Sequence, residues 1–140
     1  MKKSILVGSF LFFSFFAGWY IFNQSIENPL GASIPDMIYV VSPRIHTEIA
    51  SPLTISGRAR GTWFFEGSFP VLLVDWDGKI IAEGFATTSE WMTEEFVPFT
   101  GTIEFSKPAY DKNGTLILKK DNPSGLSEND MALEIPVVFK

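Results

Sequence analysis

The chain has 140 residues, no cysteine, 11 Lys and Arg against 16 Asp and Glu, 46% hydrophobic residues and 15% aromatics, which bounds it at one domain with appendages. Beyond Phe22 it carries nine basic and 16 acidic groups, a net charge of 9 − 16 = −7, and with no basic stripe among its aromatics that balance excludes a binder of phosphate backbones. Zero cysteines exclude a disulfide framework, zinc-thiolate sites, thiol catalysis and an acylated lipoprotein cysteine.

Lys2 and Lys3 precede Ile5 to Phe22, 18 residues interrupted only by Gly8, Ser9, Ser14 and Gly18. As a helix this run spans about 27 Å, enough to cross a bilayer. It is longer than the roughly 7–15 apolar residues of a cleavable signal, and the one small-x-small site, Leu30-Gly31-Ala32, lies well past Phe22. The reading is therefore an uncleaved signal anchor rather than a cleaved signal. Residues 1–4 stay in the cytoplasm and the rest is exported, because the positive charges stand before the helix and the next basic residue is Arg44. Trp19 and Tyr20 suit the outer interface. Asn23 to Pro35, mixing Asn, Gln, Ser, Pro and Gly, reads as a linker of roughly 20 Å reach that keeps the following domain near the membrane.

Residues 36–140 are patterned with a period of two. Met37 to Ser42 is the first expected strand. Leu53, Ile55, Gly57 and Ala59 then alternate with Thr54, Ser56, Arg58 and Arg60, as a strand with one buried and one wet face requires. Phe69 to Trp76 is almost continuously apolar, Asp77-Gly78 supplies the positive-φ pair of a tight hairpin, and Lys79 to Ala86 returns. Thr102 to Ser106 and Thr115 to Lys119 are read as two short strands joined through Asp111-Lys112-Asn113-Gly114. In the last segment Met131, Leu133, Ile135, Val137 and Phe139 share one face, so a one-residue slip would expose the whole apolar set. Pro98 and Pro136 donate no ladder hydrogen bond, which puts their strands at edges or bulges. About seven strands and no helical period predict an all-β, immunoglobulin-like two-sheet sandwich, preceded by the one N-terminal transmembrane helix. A body of this size buries roughly 60–70% of its unfolded surface, enough for one core without disulfides.

The order Pro43, Ser51-Pro52-Leu53, Gly57, Ala59, Gly61, Trp63, Glu66-Gly67-Ser68-Phe69, Asp75, Gly78, Trp91-Met92, Phe96 and Asp121-Asn122-Pro123-Ser124-Gly125 resembles the immunoglobulin-like domain of bacterial spore germination proteins, often called Gmad2. The resemblance runs over roughly residues 38–139. It implies an immunoglobulin-like sandwich on an exported, often membrane-anchored bacterial protein. It brings no catalytic motif to any numbered residue, and a part in spore germination enters by that resemblance alone.

Candidate chemistry is sparse. Asp75-Trp76-Asp77-Gly78 opens like a calcium loop, but its twelfth residue is Ala86 where a bidentate Glu is needed, so a hairpin turn outweighs a metal site. The loop Asp121 to Asp130 offers side-chain oxygens from Asp121, Asn122, Glu128, Asn129 and Asp130, yet reads first as a solvated loop of turn formers. The one histidine, His46, has no nucleophile elbow to serve and reads as a surface turn residue. Glu94 and Glu95 as strand neighbours point to opposite faces, so they are no glycosidase pair. Asn113-Gly114-Thr115 matches a glycosylation acceptor, but Asn-Gly is itself turn chemistry.

Trp63-Phe64-Phe65-Glu66-Gly67-Ser68-Phe69 carries aromatic area next to a carboxylate. Such a set recognises sugar rings, cations or a peptide. Against that, a sandwich needs these aromatics in its core, with Glu66 free to pair with Arg58 or Arg60 across strands. Trp91 divides in the same way between an exposed interface residue and a buried cap. The sequence therefore supports a membrane-anchored, extracytoplasmic, non-enzymatic immunoglobulin-like module without cofactor or metal. Its expected partner is an envelope protein, or alternatively cell-wall carbohydrate or peptidoglycan, with Trp63, Glu66, Trp91, Asp121 and Asn122 as candidate contact residues. Exposed Trp63 or Trp91 in a groove would favour the sugar, a flat apolar edge strand the protein.

Overall fold

The computed structural model describes residues 31–140. The 5–22 span and the first part of the linker lie outside the described residues, and among the described residues no helix is long and apolar enough to cross a membrane.

Nine strands follow in order: β1 (Ser33–Ile34), β2 (Ile38–Ser42), β3 (Glu48–Ile49), β4 (Leu53–Arg60), β5 (Ser68–Asp75), β6 (Ile80–Thr87), β7 (Phe96–Ile103), β8 (Asn113–Lys119) and β9 (Ala132–Phe139), with 3-10 turns at Gly61–Trp63 and Ser127–Asn129. They form one sheet in the order β1-β2-β4-β7-β6-β5-β8-β9-β3. All pairings are antiparallel except β3 with β9. The joint between its halves is narrow, because β6 and β7 pair only through Ala86↔Gly101 and Thr87↔Thr100. About that joint the sheet curls, and the inner faces of both halves contribute to a single core. Ile38 and Val40 of β2, Ile55 and Ala59 of β4, and Val97 and Phe99 of β7 come from one half. Phe69, Val71 and Leu73 of β5, Leu116 and Leu118 of β8, and Ile135 and Val137 of β9 come from the other. Phe69 meets Phe99 across the curl with ring centroids 5.0 Å apart and planes at 79°. Such an edge-to-face pair is worth about 0.5–1.5 kcal/mol beyond its buried area. The fold is all-β and consistent with an immunoglobulin-like domain.

The alternation in β4 and β9 has the expected register. Leu53, Ile55, Gly57 and Ala59 are buried, as are Leu133, Ile135, Val137 and Phe139, but Met131 lies outside β9 and is exposed. The hairpin of β5 and β6 also forms as expected, with Asp75 Oδ1 accepting the Asp77 and Lys79 amides at 2.9 Å each.

Four expectations need correction. There are nine strands, not about seven, since β1 and β3 have two residues each and leave no alternation to read. Folded structure begins inside the stretch read as linker: Ala32 is buried, its carbonyl accepts the Val40 amide at 2.9 Å, and Ser33 and Ile34 pair with β2. The strand expected at Thr102 to Ser106 instead occupies Phe96–Ile103, and it pairs with β4 and β6 rather than with β8. Asn113 and Gly114 begin β8 rather than forming a turn, the chain having reversed at Asp111, whose Oδ1 accepts the Asn113 amide at 2.7 Å. The two prolines obey their rule locally although neither strand is terminal in the order. The Glu95 carbonyl accepts the Gly61 amide, so by alternation Pro98 turns its nitrogen away from β4, toward a side where pairing starts only at Thr100. Val138 donates to Thr47, so the nitrogen of Pro136 faces the same flank, where β3 pairs only with Val138 and Phe139.

Candidate functional site

The five candidate residues converge on one end of the molecule. Trp63, in the 3-10 turn after β4, is fully buried and stands edge-on to Phe69 with ring centroids 6.3 Å apart. It is core, and its indole cannot serve as an exposed platform. Its carbonyl accepts the Asp121 amide at 3.0 Å, which ties the 121–130 loop to this end. Glu66 is exposed in a tight turn with φ of 50°, followed by Gly67 at 81°, and the Phe65 and Ser68 backbones bond each other in both directions. The expected pairing of Glu66 with Arg58 or Arg60 is not made. The Arg60 guanidinium lies 4.1 Å over the Phe96 ring, donates to the Asp36 carbonyl at 3.0 Å, and forms the sole ion pair among the described residues, 3.9 Å to Glu95.

Trp91 is half-buried against the core, and a Cβ on Gly67 would come within 3.0 Å of its ring, so it covers this end of the molecule. Asn122 organises its own loop: its amide donates to the Leu126 carbonyl at 2.7 Å and to Asp130 Oδ1 at 2.8 Å, while its Oδ1 accepts from Ser124 Oγ. Among the described residues no three His, Cys, Asp or Glu side chains are grouped to hold a metal.

A different surface is left unfilled. On the outer face of the half that holds β6, β5, β8 and β9, the paired positions run Phe85 beside Pro70, and Glu83 beside Leu72, Ile117 and Glu134. Next to them Val74 pairs with Thr115, and Thr115 with Pro136. Phe85 is 62% exposed, Ile80 48% and Trp76 55%, while Pro70, Leu72 and Ile117 are half-buried. At the Trp76 end of β5, opposite the Gly67 turn, a cavity of about 320 Å³ opens between Trp76, His46, Asp75, Asn113, Thr115 and Pro136.

The family model for the immunoglobulin-like domain of bacterial spore germination, Gmad2, matches residues 37–127. The chain belongs to the Gmad2 family. No curated protein and no solved structure matches it. The match covers β2 to β8, and in this Gmad2 domain β9 completes the sheet by pairing with β8 over seven positions, Asn113↔Val138 to Lys119↔Ala132.

In the sequence of this Gmad2 domain Trp63 and Trp91 carry the signals of a contact residue, whereas Trp76 stands beside an Asp-Gly pair that the hairpin alone explains. The unbroken apolar run of β5 was the available signal for the outer face, because an antiparallel strand wet on one side should alternate. Here Pro70 and Leu72 face outward between the buried Phe69, Val71 and Leu73, while Val74 after them is itself buried.

Proposed function

We propose that this Gmad2 domain is a non-enzymatic binding module, held on the outside of the cell membrane by residues 5–22, which docks a protein of the envelope on its outer β6-β5-β8-β9 face. The observation that carries the reading is the apolar character of that face, where Phe85, Pro70, Leu72 and Ile117 stand at positions that a solvated antiparallel sheet fills with polar side chains. Glu83 and Glu134 bracket Leu72 and Ile117 in one row across four strands. In a body of net charge −7, the complementary partner carries an apolar strip with basic residues at its sides. Trp63, buried in the core, gives no support to a sugar platform at the Gly67 end.

The test is chemical crosslinking of the full chain in native membranes, comparing the parent with Leu72→Lys and Phe85→Glu forms whose folding is checked by near-UV circular dichroism. A discrete protein adduct on the parent that both folded variants lose is the expected result. An adduct unchanged in both, or found only through residues of the β2-β4-β7 half, would sink the reading.

A further inference from the structure

The cavity at the far end of β5 has a composition that neither the curl of the sheet nor the docking face requires. The Trp76 side chain lines it while remaining more than half exposed, although a tight turn places no demand for a tryptophan there. His46 reaches it from the loop before β3, in the left-handed region with φ of 59°, fixed by donation of its amide to the Pro136 carbonyl at 2.7 Å. Thr115 and Pro136 are paired positions of β8 and β9, so the part they contribute belongs to rigid sheet. Several polar groups at the rim keep hydrogen-bonding capacity. Asn113 donates its amide nitrogen to Asp111 and leaves its side-chain oxygen over. Of the Asp75 carboxylate only Oδ1 is engaged in the turn, which leaves Oδ2 over. Among the described residues neither Thr115 Oγ1 nor the His46 ring has a hydrogen-bond partner.

We infer that this cavity binds an uncharged saccharide, with a sugar ring laid on Trp76 and its hydroxyls taken by Asn113, Thr115, His46 and Asp75. The indole offers apolar area to the C–H face of a pyranose, and the rim offers a mixture of donors and acceptors, which is what a polyhydroxylated ring needs and a hydrophobic ligand does not. No Lys or Arg lines the cavity and Asp75 does, so a phosphorylated or uronic polymer meets no counter-charge there. A quaternary ammonium group is matched by several Trp, Tyr or Phe rings around one point, and of these the lining holds only Trp76. At about 320 Å³ the cavity stands at the small end of the roughly 300–1,000 Å³ typical of ligand sites, suited to one or two rings of a glycan. The inference is independent of the docking face, whose central residues Leu72, Ile117 and Phe85 do not line the cavity.

Isothermal titration of the full chain, held in a detergent without a sugar headgroup, with chitotetraose, a neutral oligomer of N-acetylglucosamine, and with maltotetraose tests it. Tetramethylammonium and a glycerol-phosphate oligomer serve as the other arms. Saturable binding of a neutral oligosaccharide is expected, weakened roughly tenfold by Trp76→Ala, largely restored by Trp76→Tyr, and unaffected by Leu72→Lys. Thr115→Val, which keeps the shape and removes the hydroxyl, gives a smaller loss. No saturable binding of either oligosaccharide at 10 mM overturns the inference, as does binding indifferent to Trp76→Ala in a folded protein. Tighter binding of tetramethylammonium or of the phosphate oligomer overturns the ligand class.

Discussion

Trp63 shows how an aromatic that looks like a contact residue is consumed by the core. Its indole is closed off on all sides, beside Phe69, and Nε1 has no hydrogen-bond partner among the described residues. Truncation to alanine removes the largest fully buried side chain and is expected to cost about 3–5 kcal/mol. Trp63→Phe keeps most of the apolar volume and deletes the unpaired N–H, which itself costs roughly 1–3 kcal/mol while buried, so its loss should be far smaller. Urea midpoints of the two variants measure this, and equal losses would mean that the indole N–H has a partner after all.

Gly57 is constrained in a different way. A Cβ built there would run into the Tyr39 carbonyl and stand 2.8 Å from the Phe99 ring, so β4 needs glycine for the close approach of β2 and β7. Gly57→Ala should destabilise by about 1–3 kcal/mol or more, as overpacking does. Gly78, with φ of 77° and open space around it, is the control: Gly78→Ala pays only for the left-handed backbone, about 1 kcal/mol.

Among elements, the β5–β6 hairpin connects the docking face to the cavity. Asp75 closes its turn by accepting the Asp77 and Lys79 amides, while the Lys79 carbonyl accepts the Asp75 amide at 2.9 Å. Asp75→Ala removes two charge-assisted bonds from a solvated turn and should cost roughly 1–3 kcal/mol, with hydrogen exchange rising first at Asp77 to Ile80. Asp75→Asn, which keeps an acceptor, should recover most of that stability. Exchange that rises evenly over β5 and β6 would contradict a local role.

The elements also mark how far a sequence of this kind can be read. β4 and β9 were legible because one face of each is buried and the other wet, so composition follows the pleat. β5 was legible as a strand but its unbroken apolar run was ambiguous between two buried faces and one unpartnered face. The partners of β7 were not legible, since Phe96-Val97-Pro98-Phe99 has a proline where a ladder would run, and only the three-dimensional curl explains why Pro98 faces an unpaired side. β1 and β3 are too short to carry a period. The candidate contact residues were drawn to the densest aromatic stretch, and density is what a core demands. Trp76, standing alone beside Asp-Gly, had no neighbour to draw attention to it.

For the whole molecule, the apolar surface is divided unequally. The two halves of the curled sheet bury their inner faces on each other; one outer face carries Phe85, Pro70, Leu72 and Ile117, while the other carries Thr54, Arg58, Thr100 and Thr102 across β4 and β7, with the exposed apolar groups Tyr39 and Val41 confined to the neighbouring β2. A chain that needed only to fold gains nothing from Phe85 and Ile80 in solvent, and sequences that leave such a patch open without a partner run a risk of aggregation. With the proposed anchoring by residues 5–22, a short linker would hold the domain at the membrane surface, so the proposed docking face would meet its partner at high effective concentration. The most direct test is site-specific photo-crosslinking in living cells, with the photoreactive residue introduced in turn at Phe85, Leu72 and Ile117 on the apolar face and at Thr54, Arg58 and Thr100 on the other. One protein adduct of constant size is expected from the first three positions and none from the last three. Adducts from both faces alike, or from the β4-β7 face alone, would rule out docking on the β6-β5-β8-β9 face.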